Sequence, residues 1–336
     1  MSTPSSSVSG APKISAQRVR ALFATMSRIR AFEEAAERAA REGLITGAAH
    51  LSIGQEAVAA GICGNLRLTD LITSTHRGHG HTIAKGARAE AMMRELFGRA
   101  GGTSDGKGGS MHIADFSVGM FGANGIVAAG IPIAAGAAQA KRLLGEDAVV
   151  GCFFGDGAVN RGPFLEGLNW ARIYDLPVLF VCEDNRYAAR TRSGDMTGGS
   201  GPVARAESLG VPAHPIDGND VMAVDGLAGH LVEVMRAGGG PQFIHAKTYR
   251  QRGHTVADPG TWRPADEIAN FLEHDPMTIA RQFLIDSGVA PAELDAIALE
   301  AQQEMADAYD IAAAAPWPED SLAVTDVQDI GGPAWG

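Results

Sequence analysis

Cysteine is scarce: the 336-residue chain has three, Cys63, Cys152 and Cys182, an odd number in apolar contexts. A disulfide framework is excluded, and the three read as reduced core residues of a cytoplasmic protein. Positive charge is short as well, with 28 Lys and Arg against 39 Asp and Glu, a net charge of -11. With no basic patch to offset that balance, the sequence argues against a nucleic-acid partner. Long hydrophobic runs are absent, because Gly or Pro breaks each one before it reaches membrane-spanning length, so no transmembrane segment is expected. The first dozen residues are rich in Ser, Thr and Pro and lack the apolar stretch of a signal peptide.

Two phosphate-binding patterns are also incomplete. Gly101 through Lys107 has glycine and lysine at P-loop spacing, but Gly108 stands where a Ser or Thr would bind magnesium, and no strand precedes it. Gly155-Asp156-Gly157 opens like a dinucleotide fingerprint, yet Asn160 follows and the third glycine is missing. An aspartate between the glycines would repel a bare pyrophosphate. A bridging metal removes that objection.

What is present centres on this same turn. Val149 to Phe154 reads as a buried strand, Phe164 to Ile173 as a helix and Pro177 to Cys182 as the next parallel strand, one βαβ unit. Asp156 and Asn185 then fall beyond two strand carboxyl ends, where ligands of such sheets bind. Gly155 and Gly157 give the clearance a diphosphate needs, and helix-entry amides of Gly157 and Ala158 would donate to its oxygens. Asp156 and Asn185 offer the few hard oxygens that magnesium wants beside phosphate. Gly-Asp-Gly alone is equally a tight turn with Asp156 as a helix cap. Asn185 tips the balance to a metal-diphosphate cradle.

Elsewhere, Ser15 caps a helix with apolar residues from Val19 to Phe32 at three- and four-residue spacing, ended by Gly43. Ser52 to Gly61 reads as a second helix and Leu71 to Thr75 as the first core strand. Residues 98–112 form a loop, and Gly130 to Ala140 a helix of small residues suited to close packing or subunit contact. Residues 189–205 form a polar segment, Phe243 to Thr248 a late strand and 249–263 another loop, with helices from Glu267 broken around Pro276 and Pro291. The expected layout is a disordered lead-in over 1–14, a single α/β domain over 15–316 with a mostly parallel sheet between helices, and a loosely held tail over 317–336. There is no internal repeat.

The cradle resembles the thiamine diphosphate signature, and five segments in family order extend the resemblance to the alpha subunit of the acetoin and 2-oxoacid dehydrogenases. They are His50 to Ala57, Ser74 to Gly80, Gly106 to His112, Gly125 to Val127 and Gly253 to Pro259. The resemblance implies a thiamine diphosphate-binding fold. It makes Asp156, Asn185 and the Tyr187 carbonyl the magnesium ligands, and sets Gly157, Ala158, Arg77 and His254 on the diphosphate. His76 takes the place of a tyrosine of pyruvate-type members, and Gly125 and Val127 hold the aminopyrimidine by their backbone. His50, near the substrate, and His79 and His254 are the catalytic candidates. It also implies what is missing: the glutamate that activates the cofactor belongs to a separate beta subunit, and Glu56 reads as part of a helix start. An α2β2 heterotetramer follows, passing a two-carbon unit to a lipoyl group on an acyltransferase component. The segments His76 to Gly86 and Met111 to Asp115 look closer to acetoin dehydrogenase than to pyruvate dehydrogenase. Asp184 for a usual Asn and Ala188-Ala189 for Gly-Met depart from the pattern and keep pyruvate or another 2-oxoacid as the alternative, with an inactive cofactor-fold scaffold as the non-enzymatic one. Thr255 stands where some eukaryotic relatives are phosphorylated, and reads here as ordering its loop.

Overall fold

The computed structural model describes residues 14–325. The expected lead-in therefore lies, apart from Ile14, outside the described residues, as does the tail beyond Thr325. Among the described residues eight strands are formed: β1 (Leu71–Thr75), β2 (Met120–Asn124), β3 (Val150–Gly155), β4 (Val178–Asp184), β5 (Tyr187–Ala188), β6 (Thr191–Arg192), β7 (Ala213–Asp217) and β8 (Gln242–Lys247). Six of them make one sheet in the order β2-β1-β3-β4-β8-β7, and every pairing is parallel. The expected βαβ unit is present, with β3 and β4 neighbours in continuous register from Val150↔Val178 to Gly155↔Glu183.

Both faces of this sheet are covered, which is why its central strands are apolar without interruption. Val150, Cys152, Phe154, Val178, Phe180, Cys182 and Phe243 point to the face packed by the helices Gly130–Leu143 and Gly162–Ile173. Their alternates Phe153, Leu179, Val181 and Ile244 point to the other face, among residues of Ala16–Arg41, Val221–Arg236 and Pro291–Ala314. The three cysteines are buried and unpaired.

Ser15 caps the first helix through the Arg18 amide, as expected. The second helix starts later than its pattern suggested, at Glu56 rather than Ser52. Gly54 has φ +94, a left-handed conformation that no helix accommodates, and a Cβ there would lie 2.5 Å from the Tyr249 carbonyl oxygen. Pro276 and Pro291 each sit in the first turn of a new helix, where their missing N–H costs nothing.

Part of the expected loose tail is held. The Arg99 guanidinium lies 3.7 Å from the centre of the Trp317 ring, Ala100 N–H donates to the Pro316 carbonyl at 3.0 Å, and Lys107 reaches the Thr325 carbonyl at 2.8 Å. These contacts dock residues 316–325 on the 98–112 loop. No helix among the described residues is long and apolar enough to cross a membrane.

Candidate active site

The strand order places a crevice before any side chain is considered. From β1 the chain moves outward to β2, then returns to the other side of β1 for β3 and continues to β4. Connections therefore diverge between β1 and β3, the switch point at which open parallel sheets bind ligands beyond their carboxyl ends. A cavity of about 420 Å³ lies there. It gathers His50, His76, Arg77, Gly125, Val127, Gly155, Asp156, Gly157, Ala158, Asn185, Tyr187 and His254, residues from six separate segments.

Asp156 is buried, and its Oδ2 has no hydrogen-bond partner. Burial, reinforced by the Asp184 charge, pushes its carboxyl up to about 7. Such a group is poised for a cation. Asn185 Nδ2 donates to Gln55 Oε1 at 2.9 Å, and its oxygen accepts only a long bond from the Tyr187 amide at 3.5 Å, which leaves a lone pair for a ligand, while Gln55 Nε2 is itself buried and unpartnered. Asp184 points elsewhere. It accepts from His245 Nε2 at 2.9 Å, from Ser193 Oγ at 2.9 Å and from the Arg186 amide at 3.2 Å, so it fixes the loop after β4.

The expected helix entry at Gly157 and Ala158 is different. Residues Asp156–Asn160 form a 3₁₀ turn, Arg161 is extended at φ -104, and the α-helix begins at Gly162 with a proline in its first turn. The amides of Gly157 and Ala158 still border the cavity, but the positive end of the α-helix lies several residues away. The fixed positive charge comes instead from two buried arginines. Arg77 donates to the Leu51 carbonyl at 2.6 Å and to the His254 carbonyl at 2.9 Å. Arg250 donates to the carbonyls of Tyr187 at 3.1 Å and Ala189 at 2.9 Å. Burial lowers both guanidinium groups, to about 9 at Arg77, where the Arg250 charge adds to it, and to about 10 at Arg250, where the Arg263 charge adds to it. Both remain cationic at neutral pH, and a polyanion is the ligand that relieves them.

Three histidine rings line the same wall, with His50 centred 4.6 Å from His76 and 4.8 Å from His254. Burial first, and Arg77 second, depresses them to about 3, about 2 and about 4 for His50, His76 and His254. All three are therefore neutral at pH 7. His254 Nδ1 accepts from Arg77 Nη2 at 3.1 Å, so its ring and the guanidinium are one unit.

His79 does not join them. It is fully buried, with Nδ1 2.9 Å from Glu33 Oε2 and Nε2 3.0 Å from Ser110 Oγ. His76 and Arg77 precede the helix Gly78–Ala84, whereas His79 lies within its first turn and faces Glu33 on the first helix. Glu33 also accepts from Ser52 N–H and Oγ–H, and these partners with His79 hold its carboxyl below the usual range against the effect of burial. The geometry gives His79 a structural place. His79→Ala, which leaves Glu33 buried without this partner, is expected to cost about 3–5 kcal/mol of stability. A thermal melt would register it, and an unshifted melt with lost activity would return His79 to the catalytic set. Glu56 is likewise remote, buried against Arg30 and the Gly54 amide.

Arg250 and Gln55 were not among the residues singled out from sequence. Arg250 lies just before the Gly253 to Pro259 segment, and its arginine-rich context, Arg250 and Arg252 in an acidic chain, was the available signal. Gly155 offers a clean test of the cavity's use. Its φ of -81 suits any residue, and a Cβ there would meet nothing within 4 Å. Gly155→Ala is expected to leave the melting temperature unchanged and to weaken diphosphate binding at least tenfold, read by calorimetry.

The dehydrogenase E1 component family matches residues 24–321 of this chain. The chain is 41% identical over 307 residues to the alpha subunit of acetoin:2,6-dichlorophenolindophenol oxidoreductase from Bacillus subtilis, covering 91% of this chain and 92% of that one. It is 42% identical over 329 residues to the same subunit from Cupriavidus necator, covering 97% and 99%. The alpha subunit of the pyruvate dehydrogenase E1 component of Rhizobium meliloti is 40% identical over 307 residues, covering 91% and 88%.

Proposed function

This chain belongs to the dehydrogenase E1 component family, and from that membership and the switch-point cavity we propose that it is the alpha subunit of a thiamine diphosphate-dependent enzyme that cleaves acetoin. The resulting two-carbon unit passes to a lipoyl group on an acyltransferase component. The observation that carries the reading is the buried Asp156 carboxyl, its Oδ2 unpartnered, set beside Asn185 and faced by two buried arginines, a donor set for a metal ion and a diphosphate together.

The residues present fit that group. Asp156 Oδ2 and the Asn185 amide oxygen, with the Tyr187 carbonyl, hold Mg2+; the carbonyl's second lone pair remains beside its bond from Arg250. Amides of Gly157 and Ala158, with Arg77 and His254, take the diphosphate. Gly155 keeps the approach open, and the backbone of Gly125 and Val127 takes the aminopyrimidine. When bound, thiamine diphosphate supplies a nucleophilic ring carbon that can split the bond between a carbonyl carbon and a carboxylate or carbinol neighbour. Around it, His50, His76 and His254 are neutral, able to donate or accept a proton near the reacting carbonyl.

A beta subunit completes the site in an α2β2 assembly in the cytoplasm. In support, both acetoin-type relatives are named as alpha subunits, and the cavity's rim is apolar and uncovered at Ile126 (69% exposed) and Val127 (48%). The adjoining small-residue helix Gly130–Leu143 leaves Ile133 half exposed and open space at Gly136, an apolar surface that a subunit would cover. With the chain reconstituted with its beta partner, acetaldehyde release from acetoin is expected to exceed carbon dioxide release from pyruvate by at least tenfold. The reverse ratio would assign a 2-oxoacid.

A further inference from the structure

A second cavity, of about 480 Å³, lies at the carboxyl ends of β7 and β8. Arg186 and Lys247 both line it, and neither cationic head has an ion pair or hydrogen bond to any described residue. Arg186 Nε is buried without a partner, and its guanidinium lies 5.4 Å from the centre of the Phe271 ring. In a chain with net charge -11, where arginines are mostly matched to carboxylates or carbonyls, two unmatched cations on one cavity wall are exceptional. The other polar groups of the wall are largely committed. Asn219 donates to the His274 carbonyl at 2.9 Å and accepts from Thr248 Oγ1 at 2.7 Å, and His274 Nδ1 faces the Asn270 carbonyl at 3.2 Å, leaving Nε2 available. The one carboxylate of the wall, Asp217, accepts from the Asn219 amide at 2.9 Å and so serves its own turn.

We propose that this cavity is a binding site for a small anion bearing phosphate or carboxylate oxygens, held by Arg186 and Lys247. Phe271 supports the planar guanidinium from one side, so its donors are presented together, and Lys247 adds a mobile point charge at the end of β8. The site is distinct from the first cavity but shares its backbone. Arg186 stands between Asn185 and Tyr187 at φ +77, an uncommon conformation for a side-chain-bearing residue, held by bonds from its amide to Asp184 and from the Ser193 amide to its carbonyl. Thr248 N–H, just beyond the end of the neighbouring strand β8, donates to the Asp184 carbonyl. An anion on Arg186 therefore bears on the loop that carries the proposed metal ligands.

The inference stands whether or not thiamine diphosphate is the first cavity's ligand. The test titrates inorganic phosphate and, separately, malonate into the assembled protein, with thiamine diphosphate and Mg2+ at saturation so that the first cavity is closed to them. Saturable binding of one probe is expected, weakened at least tenfold by Lys247→Gln and restored by Lys247→Arg. Lys247 is exposed, so the Gln variant is expected to melt as wild type does. Preference for phosphate assigns a phosphoryl ligand and preference for malonate a carboxylate. Absence of saturable binding for both, or equal binding by Lys247→Gln, would overturn the proposal.

Discussion

Replacing Asp156 with alanine is expected to weaken magnesium-dependent binding of thiamine diphosphate by at least about 100-fold, read by calorimetry on the chain mixed with its beta partner. Removing one member of a buried charge pair costs on the order of 3–5 kcal/mol, and every 1.4 kcal/mol is a factor of ten in affinity. The apo protein should tolerate the change, since the carboxylate is buried, unpartnered at Oδ2 and destabilised by Asp184. The same carboxyl predicts a pH signature. Its apo value is raised to about 7, and a metal ion binds the ionised form, so below pH 7 the cation must displace a proton. Wild-type affinity should then fall about tenfold per unit below that value and level off above it, whereas the alanine variant should lose this dependence. Unchanged magnesium dependence in the variant would refute Asp156 as the ligand.

The sheet's centre was legible where the sequence repeats what burial on two faces demands. β1, β3, β4 and β8 are short apolar runs between turn residues, and each was placed to within two residues. The edges were not. β2 reads Met120-Phe121-Gly122-Ala123-Asn124, with Gly122 at φ +140, and β7 carries Pro215, which only an edge strand tolerates. Neither has the period or composition of a strand, and both exist because a neighbour's backbone is available to pair. That the cofactor-binding and metal candidates share one cavity was legible for a related reason: most of them follow a strand directly, where position along the chain fixes position at the sheet's end, His50 and His254 being the exceptions. His79 shows the limit. Two residues after Arg77 the chain has turned into a helix, and that change of direction carries the ring from the cavity to Glu33. Arg250 shows the converse, since it reaches Tyr187 only when the loop after β8 folds back over the end of β4.

The chain without its partner is expected to show no turnover of acetoin or pyruvate, while still binding thiamine diphosphate and magnesium. The reason lies in where the carboxyl groups stand. Thiamine chemistry needs a carboxylate at the aminopyrimidine to promote proton loss from the reactive ring. Two carboxylates border the cavity, Asp156 and Glu183. Asp156 lies in the Gly-Asp-Gly turn at the proposed diphosphate end, and Glu183 is held by His81 Nε2 at 3.2 Å, whose Nδ1 is in turn 2.8 Å from Ser74 Oγ. Glu56, the tempting third, is locked behind the wall by Arg30 and the Gly54 amide, and burial raises it. At the other end of the cavity stand Gly125, Ile126 and Val127, an apolar rim with no acid to offer. Adding the beta chain should raise turnover from background to its full value, saturating at a one-to-one ratio of the two chains. Measurable turnover by the isolated chain, undiminished after rigorous removal of any co-purifying partner, would mean that the activating group lies on this chain after all, and Glu183→Gln would be the substitution to find it.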